Sequence, residues 1–141
     1  MDESLPTELS LEVVTPDRLV AHDSVTAVTL PGKDGYLGIL PGHRPLLTEI
    51  APGELTYTRE NVQHHLAVTW GFAEVLPDRV IVLAECAERA EEIDVARAER
   101  ARQRAEERLR KISDPQIDQG RAREALRRAI ARLETARHAG A

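Results

Sequence analysis

Val80-Ile81-Val82-Leu83-Ala84 is followed by an acidic stretch, Glu85 to Glu92, and then by Ile93-Asp94-Val95-Ala96-Arg97-Ala98. The first run is apolar and β-branched, and its branched side chains favour a pleated strand. The last is rich in Ala and Arg, strong helix formers, and it opens on an Asp suited to capping a first turn. The chain therefore changes character near Glu92, from strands to helices. We expect a mainly β plus α protein, an N-terminal antiparallel β-sandwich followed by a C-terminal antiparallel two-helix hairpin. The expected division is a short disordered lead-in over 1–8, a sandwich over 9–88 and the hairpin over 89–141.

Upstream of this change the hydrophobic period is two. Leu9, Leu11 and Val13 alternate with Ser10 and Glu12; Leu55 and Tyr57 alternate with Glu54, Thr56 and Thr58; Leu66, Val68 and Trp70 alternate with Ala67 and Thr69. Turn signals separate the runs: Thr15-Pro16-Asp17, Pro31-Gly32, Asp34-Gly35, Pro41-Gly42, Pro52-Gly53 and Pro77-Asp78. Many short strands at this spacing indicate a sandwich or barrel. Val80 to Ala84 is apolar on both faces, which predicts a strand inside the sandwich.

Downstream the period becomes helical. Ala98, Ala101, Ala105, Leu109 and Ile112 recur at one spacing, as do Ala122, Leu126, Ala129, Leu133 and Ala136. Ser113-Asp114-Pro115 interrupts them, because proline lacks the amide donor and its ring clashes with the preceding turn. Each helix opens on the same phrase, Ile93-Asp94-x-x-Arg97-Ala98 and Ile117-Asp118-x-x-Arg121-Ala122. The Asp caps free amides and the Ile serves as an apolar staple.

Charge is divided at the same place as the hydrophobic period. Residues 1–92 hold 6 Lys/Arg against 16 Asp/Glu, net −10, whereas residues 93–141 hold 13 against 8, net +5. A basic end on an acidic chain suggests an anionic partner: a protein surface, a phosphate compound or nucleic acid. At about 100° per residue, Arg97, Arg100, Arg104 and Arg108 form one stripe on the first helix, and Arg121, Arg128 and Arg132 one on the second. Like charges at i, i+4 cost roughly 0.2–0.5 kcal/mol per pair unless an anion or acidic surface offsets them. The plainer alternative is a pair of solvated faces softened by Glu99, Glu106, Glu107 and Glu124. The Ala seam beside the stripes is weak, since each methyl contributes on the order of 0.8 kcal/mol against about 1–2 kcal/mol of backbone ordering. A marginal basic hairpin is suited to conformational switching.

Catalytic patterns are missing from the order of residues. His64 and His65 adjoin in a strand and point to opposite faces, and no H-E-x-x-H or cysteine pair occurs, so no metal ligands are expected. Gly32-Lys33 resembles the end of a phosphate loop, but Asp34 stands where Ser or Thr is required. No Ser, His and carboxylate grouping is suggested, so catalytic residues are expected to be none. Cys86 is the one cysteine, which excludes an internal disulfide and reads as a buried or bystander thiol. No aromatic residue follows Phe72, and the whole chain is acidic, so nucleic acid is not expected as a partner. No apolar run approaches the roughly 18–20 residues that span a bilayer, and the opening residues lack a signal-peptide layout; the cytosolic side is expected.

Leu30-Pro31-Gly32-Lys33-Asp34-Gly35-Tyr36-Leu37-Gly38-Ile39-Leu40-Pro41-Gly42-His43-Arg44-Pro45-Leu46-Leu47-Thr48 carries a family resemblance. Ala51-Pro52-Gly53, Trp70-Gly71-Phe72-Ala73-Glu74-Val75 and Leu83-Ala84-Glu85 add to it. Together they resemble the epsilon subunits of F-type ATP synthases, over nearly the whole chain from about Leu9 to Leu133. The resemblance implies a non-catalytic subunit of the central rotor stalk, peripheral to the cytoplasmic face of a bacterial inner membrane. It implies binding to the gamma subunit and the c-ring, touching the membrane only through that ring, with the turn Lys33, Asp34, Gly35 and Tyr36 facing it. The hairpin is then the regulatory element, which in an extended state reaches the alpha and beta subunits and blocks ATP hydrolysis.

No cofactor is implied as a requirement, but ATP is implied as a regulatory ligand. The resemblance assigns adenine to Glu88, Ile93, Asp94 and Ala98, and phosphates mainly to Arg97, Arg104, Arg128 and Arg132, with Arg108 also matching. The sequence departs from the family pattern near Pro115, beside an apparent one-residue insertion, and at Gly120 in the first turn of the second helix.

Overall fold

A computed structural model describes residues 5–111 and 113–140. Residues 1–4 of the expected lead-in, and Ile112 of the expected apolar seam, lie outside the described residues. The strands are β1 Leu9–Val14, β2 Leu19–Val25, β3 Ala27–Gly32, β4 Gly35–Ile39, β5 Leu46–Ile50, β6 Gly53–Arg59, β7 Val62–Leu76 and β8 Arg79–Arg89. A single 3-10 turn, Ala90–Glu92, leads to α1 Val95–Arg110 and α2 Gln119–Ala136.

The alternating residues of β1, β3, β6 and β7 meet in one core. Leu9, Leu11, Val13, Val28, Leu30, Leu55, Tyr57, Leu66 and Val68 are all almost wholly buried. Each large apolar side chain so buried contributes roughly 1.5–3 kcal/mol of transfer free energy. The strands run β2-β1-β8-β7-β5-β3-β4, and β6 bridges β3 and β7. Every ladder is antiparallel except β1 with β8, which pair in parallel through Val13 and Val82.

The two layers are joined by the long β7–β8 hairpin. Residues 62–68 of β7 pair with β6, and residues 71–75 pair with β5. The change of partner falls at Trp70, whose φ is 28. Gly71 follows because nothing larger fits: a Cβ there would lie 1.9 Å from the Leu83 carbonyl oxygen.

Two sequence expectations are corrected, and one turn carried no sequence signal. Pro31 and Gly32 do not turn; they complete β3, pairing with Tyr36 and Gly35, and the turn is Lys33-Asp34. Proline is tolerated there because its missing amide donor is not needed at that end of the ladder. Val80 to Ala84 is not buried on both faces: Val80, Val82 and Ala84 point inward, but Leu83 is 55% exposed. Its apolar outer face is therefore open. Conversely, β6 and β7 are joined at Glu60-Asn61 without a Gly or Pro signal. Both residues take left-handed φ, 50 and 64, the pair of values a tight hairpin needs to match strand twist.

The helices begin where the repeated phrase predicts. Asp94 accepts the Arg97 amide at 3.0 Å and Asp118 accepts that of Arg121 at 3.1 Å. Between them Asp114 accepts the Gln116 amide at 2.9 Å, an Asx turn around Pro115 that reverses the chain. Ala98 and Ala105 of α1, and Ala122 and Ala129 of α2, are buried, as the seam requires. α2 also rests on β6 and β7, so it forms the middle layer between α1 and the sandwich. Arg127 of α2 lies 5.5 Å over the Trp70 ring, a cation–π contact at the β7 corner.

A candidate anion cleft in the helical hairpin

Between α1, α2 and the β7–β8 surface lies a cleft of about 520 Å³, within the roughly 300–1,000 Å³ usual for ligand sites. Helical spacing decides which side chains reach it. Arg97, Arg104 and Arg108 of α1 stand at i, i+7 and i+11, and Arg128 and Arg132 of α2 at i and i+4. Small residues between them, Ala101, Ala105, Ala125 and Ala129, form its apolar floor. Thr69, Cys86 and Glu88 contribute the strand wall.

Only one of these cations is matched by a carboxylate among the described residues. Arg132 Nη2 donates to Glu88 Oε2 at 3.1 Å, and its Nε lies 2.8 Å from Oε1 but off the hydrogen-bond line. The acidic side chains of α1 are engaged elsewhere. Glu99 and Glu106 both accept from Arg102, the latter at 2.8 Å, and Glu107 lies 3.9 Å from Lys111. That arrangement holds the Glu99 carboxyl below its usual range through the Arg102 hydrogen bond, while its two carboxylates push Arg102 further toward the charged state. The expected softening by Glu99, Glu106 and Glu107 is thus directed away from the cleft. Guanidinium groups stay charged at physiological pH, so the cleft presents fixed positive charge and donors of bidentate geometry.

The assigned residues divide into two groups. Glu88, Arg97, Arg104, Arg108, Arg128 and Arg132 converge on the cleft. Ile93, Asp94 and Ala98 are not in its walls: Ile93 is buried at the end of the 3-10 turn, Asp94 accepts the Arg97 amide as the cap of α1, and Ala98 is fully buried in the seam. Of the wider stripes, Arg100 stays outside and Arg121 lines a separate depression with Arg108 and Asp114. Thr69 and Cys86 were not legible in the sequence, because only docking of the hairpin brings β7 and β8 to it. Cys86 is exposed at this wall, so it is not a buried thiol.

Lys33 to Tyr36, around the turn between β3 and β4, are exposed. Lys33 Nζ lies 3.2 Å from Glu49, Gly35 takes φ 135, and Tyr36 is 60% exposed while its hydroxyl accepts the Glu54 amide at 3.2 Å. A second exposed feature crosses the outer face of the sheet. Leu19, Val14, Leu83 and Phe72 are register partners across four neighbouring strands, with Leu47 diagonal to Phe72 on β5. Leu19, Leu83, Phe72 and Leu47 are 55%, 55%, 52% and 69% exposed, an apolar stripe open to solvent in the single chain. Among the described residues, no helix is long and apolar enough to cross a membrane, which says nothing of strands.

Comparison with known proteins matches both parts of the chain. Residues 8–90 match the model of the ATP synthase delta/epsilon chain β-sandwich domain, and residues 91–137 that of its long α-helix domain. The ATP synthase epsilon chain of Moorella thermoacetica is 50% identical over 129 residues, 91% of this chain and 96% of that one. That of Koribacter versatilis is 61% identical over 98 residues, 70% of this chain and 69% of that one. Among solved structures, a chain of the Euglena gracilis mitochondrial ATP synthase OSCP/F1/c-ring assembly superposes with TM-score 0.83 at 26% identity, over 98% of this chain and 86% of that one. A chain of the Tetrahymena thermophila central stalk and c-ring has the same fold, with TM-score 0.58 at 14% identity over 98% of this chain and all of the other.

Proposed function

The chain belongs to the ATP synthase delta/epsilon family, as an epsilon chain, and from that premise we propose a non-catalytic rotor subunit with an ATP-sensing hairpin. In this reading the sandwich couples the gamma subunit to the c-ring. It sits peripherally at the cytoplasmic face of a bacterial inner membrane, reached only through the ring. The apolar stripe of Leu19, Val14, Leu83 and Phe72 supports a protein partner along the sheet, since an open row of this kind gains by being covered. Lys33, Asp34, Gly35 and Tyr36 form the ring-facing turn, and their exposure suits that contact.

The observation that carries the regulatory reading is the surplus of cations in the cleft: five arginines from two helices against Glu88 alone. A polyphosphate offsets that surplus only while α1 and α2 lie side by side. Arg97, Arg104 and Arg108 then hold it from one helix, and Arg128 and Arg132 from the other. Occupancy stabilises the closed hairpin by RT ln(1 + [L]/Kd), about 2.7 kcal/mol at a hundredfold excess over Kd. Without the anion, repulsion between the stripes favours separation. The freed helices then extend toward the alpha and beta subunits, where their arginines face acidic surfaces and hold back ATP hydrolysis. ATP is a ligand in this scheme and not a substrate: the guanidinium groups bind its phosphates, and Glu88, the one carboxylate in the cleft wall, is paired with Arg132.

Calorimetry on the isolated chain tests this. Stoichiometric heat with ATP, lost or at least about tenfold weaker in Arg128→Ala, is the expected result, because a charge-assisted bond is worth about 1.5–3 kcal/mol. No heat at millimolar ATP would leave the arginines as partner contacts and overturn the ligand assignment.

A further inference from the structure

Two of the histidines that carry no metal motif in the sequence come together in the fold. Glu54 of β6, His65 of β7 and His138, just beyond the end of α2, place one ligand atom each within 4.8 Å of one another. Glu54 Oε1 is the hub, 2.6 Å from His65 Nδ1 and 3.3 Å from His138 Nε2. The two imidazoles stack with centroids 3.8 Å apart and 7° between planes. Thr56 Oγ1 lies 3.4 Å from both Glu54 Oε1 and His65 Nδ1, bracing the strand pair from behind. The side chains of Glu54 and His65 are only 16% and 11% exposed, whereas His138 is 43% exposed and closes the group from the solvent side.

We propose that Glu54, His65 and His138 form a zinc-type divalent metal site that clasps the end of α2 to the β-sandwich. Two imidazoles and a carboxylate are borderline ligands suited to zinc, and a water completes four-coordination. With bonds of about 2.0–2.2 Å, tetrahedral donors stand roughly 3.3 Å apart. The Glu54–His138 separation already has this value. The Glu54–His65 pair is at hydrogen-bond distance and opens slightly as the ion enters between the atoms. The stacked rings splay at the same time, a movement open to His138 because it follows the helix and is exposed. The ligands come from two strands and the helix end, so the complete set exists only when the hairpin is docked. Metal binding is therefore linked to docking, independently of any anion in the cleft.

The test is zinc titration of the full chain by calorimetry at neutral pH. Cys86→Ser serves as the background, so that the exposed thiol does not compete. One ion per chain is expected, with affinity falling at least about tenfold in His65→Gln and in His138→Gln, since even outer partners of metal ligands are worth 10–100-fold. His22→Gln, an exposed imidazole 3.6 Å from Glu12 on the sheet edge, is expected to bind as the background does. In a second readout, zinc should slow tryptic cleavage within α1 and α2 in the background but not in His138→Gln. Because His138 lies outside every strand and helix, that variant stays interpretable even if His65→Gln folds poorly. Absence of stoichiometric binding, equal affinity in His138→Gln, or equal zinc protection of its hairpin would each overturn the clasp.

Discussion

Tyr57 shows how one side chain can be both core and network. Its ring is buried and stacks on His64, with centroids 4.9 Å apart, while its hydroxyl donates to Asp23 at 3.1 Å and accepts from Arg89 at 3.0 Å. Arg89 also donates to the Val20 carbonyl at 3.1 Å, and Arg59 pairs with Asp23 at 2.9 Å. Burial pushes the Tyr57 phenol above its ordinary value of 10.0, only partly opposed by Arg89. The unfolded chain thus loses this proton first as pH rises. The contribution is fully present below about pH 10 and is lost as pH climbs through the folded value. In a Tyr36→Phe variant, tyrosinate absorbance is expected to rise with a midpoint above 10, and thermal stability to fall over that same range; a midpoint at or below 10 would contradict the network. The alternation of Leu55 and Tyr57 in the sequence already marked Tyr57 as inward-facing. Its partners Asp23 and Arg89 were not legible, because they come from β2 and β8 and share no spacing with it.

At the scale of elements, local chemistry was the better guide. The two Ile-Asp-x-x-Arg-Ala phrases start both helices, and Asp-Pro reverses the chain between them, since caps and Asx turns involve only neighbours. Gly120 is the weak point of α2. A Cβ there would meet Asp118 Oδ1 at 3.4 Å, an ordinary contact, so Ala can replace it. Gly120→Ala is expected to stabilise α2 by up to about 1 kcal/mol, seen as slower amide exchange in that helix by roughly fivefold; unchanged or faster exchange would count against it. The strands were legible by period, but two boundaries were not. Pro31-Gly32 has turn chemistry yet lies in β3, and Glu60-Asn61 lacks it yet turns. In both places pairing across the sheet overrides the local preference, as it generally does for strands.

The whole molecule is a β-sandwich with a two-helix hairpin docked on it, and its outer sheet face makes a prediction of its own. Replacing Phe72 and Leu83, register partners in the middle of the apolar stripe, by Glu leaves the core untouched, because both point outward. Phe72→Glu with Leu83→Glu is expected to keep the thermal midpoint within a few degrees while weakening recovery of the gamma subunit at least about tenfold, as loss of a central apolar anchor does. Undiminished recovery would assign the stripe elsewhere. The sequence by itself determined the two-part architecture, the helix starts and the arginine faces, because periodicity and capping are properties of a few consecutive residues. Tertiary structure alone decided which arginines share a cleft, which face of β8 stays open, and that His65 and His138 meet over Glu54. Those contacts join residues far apart in the chain, held together by burial of α2 on β6 and β7, and no spacing along the sequence encodes them.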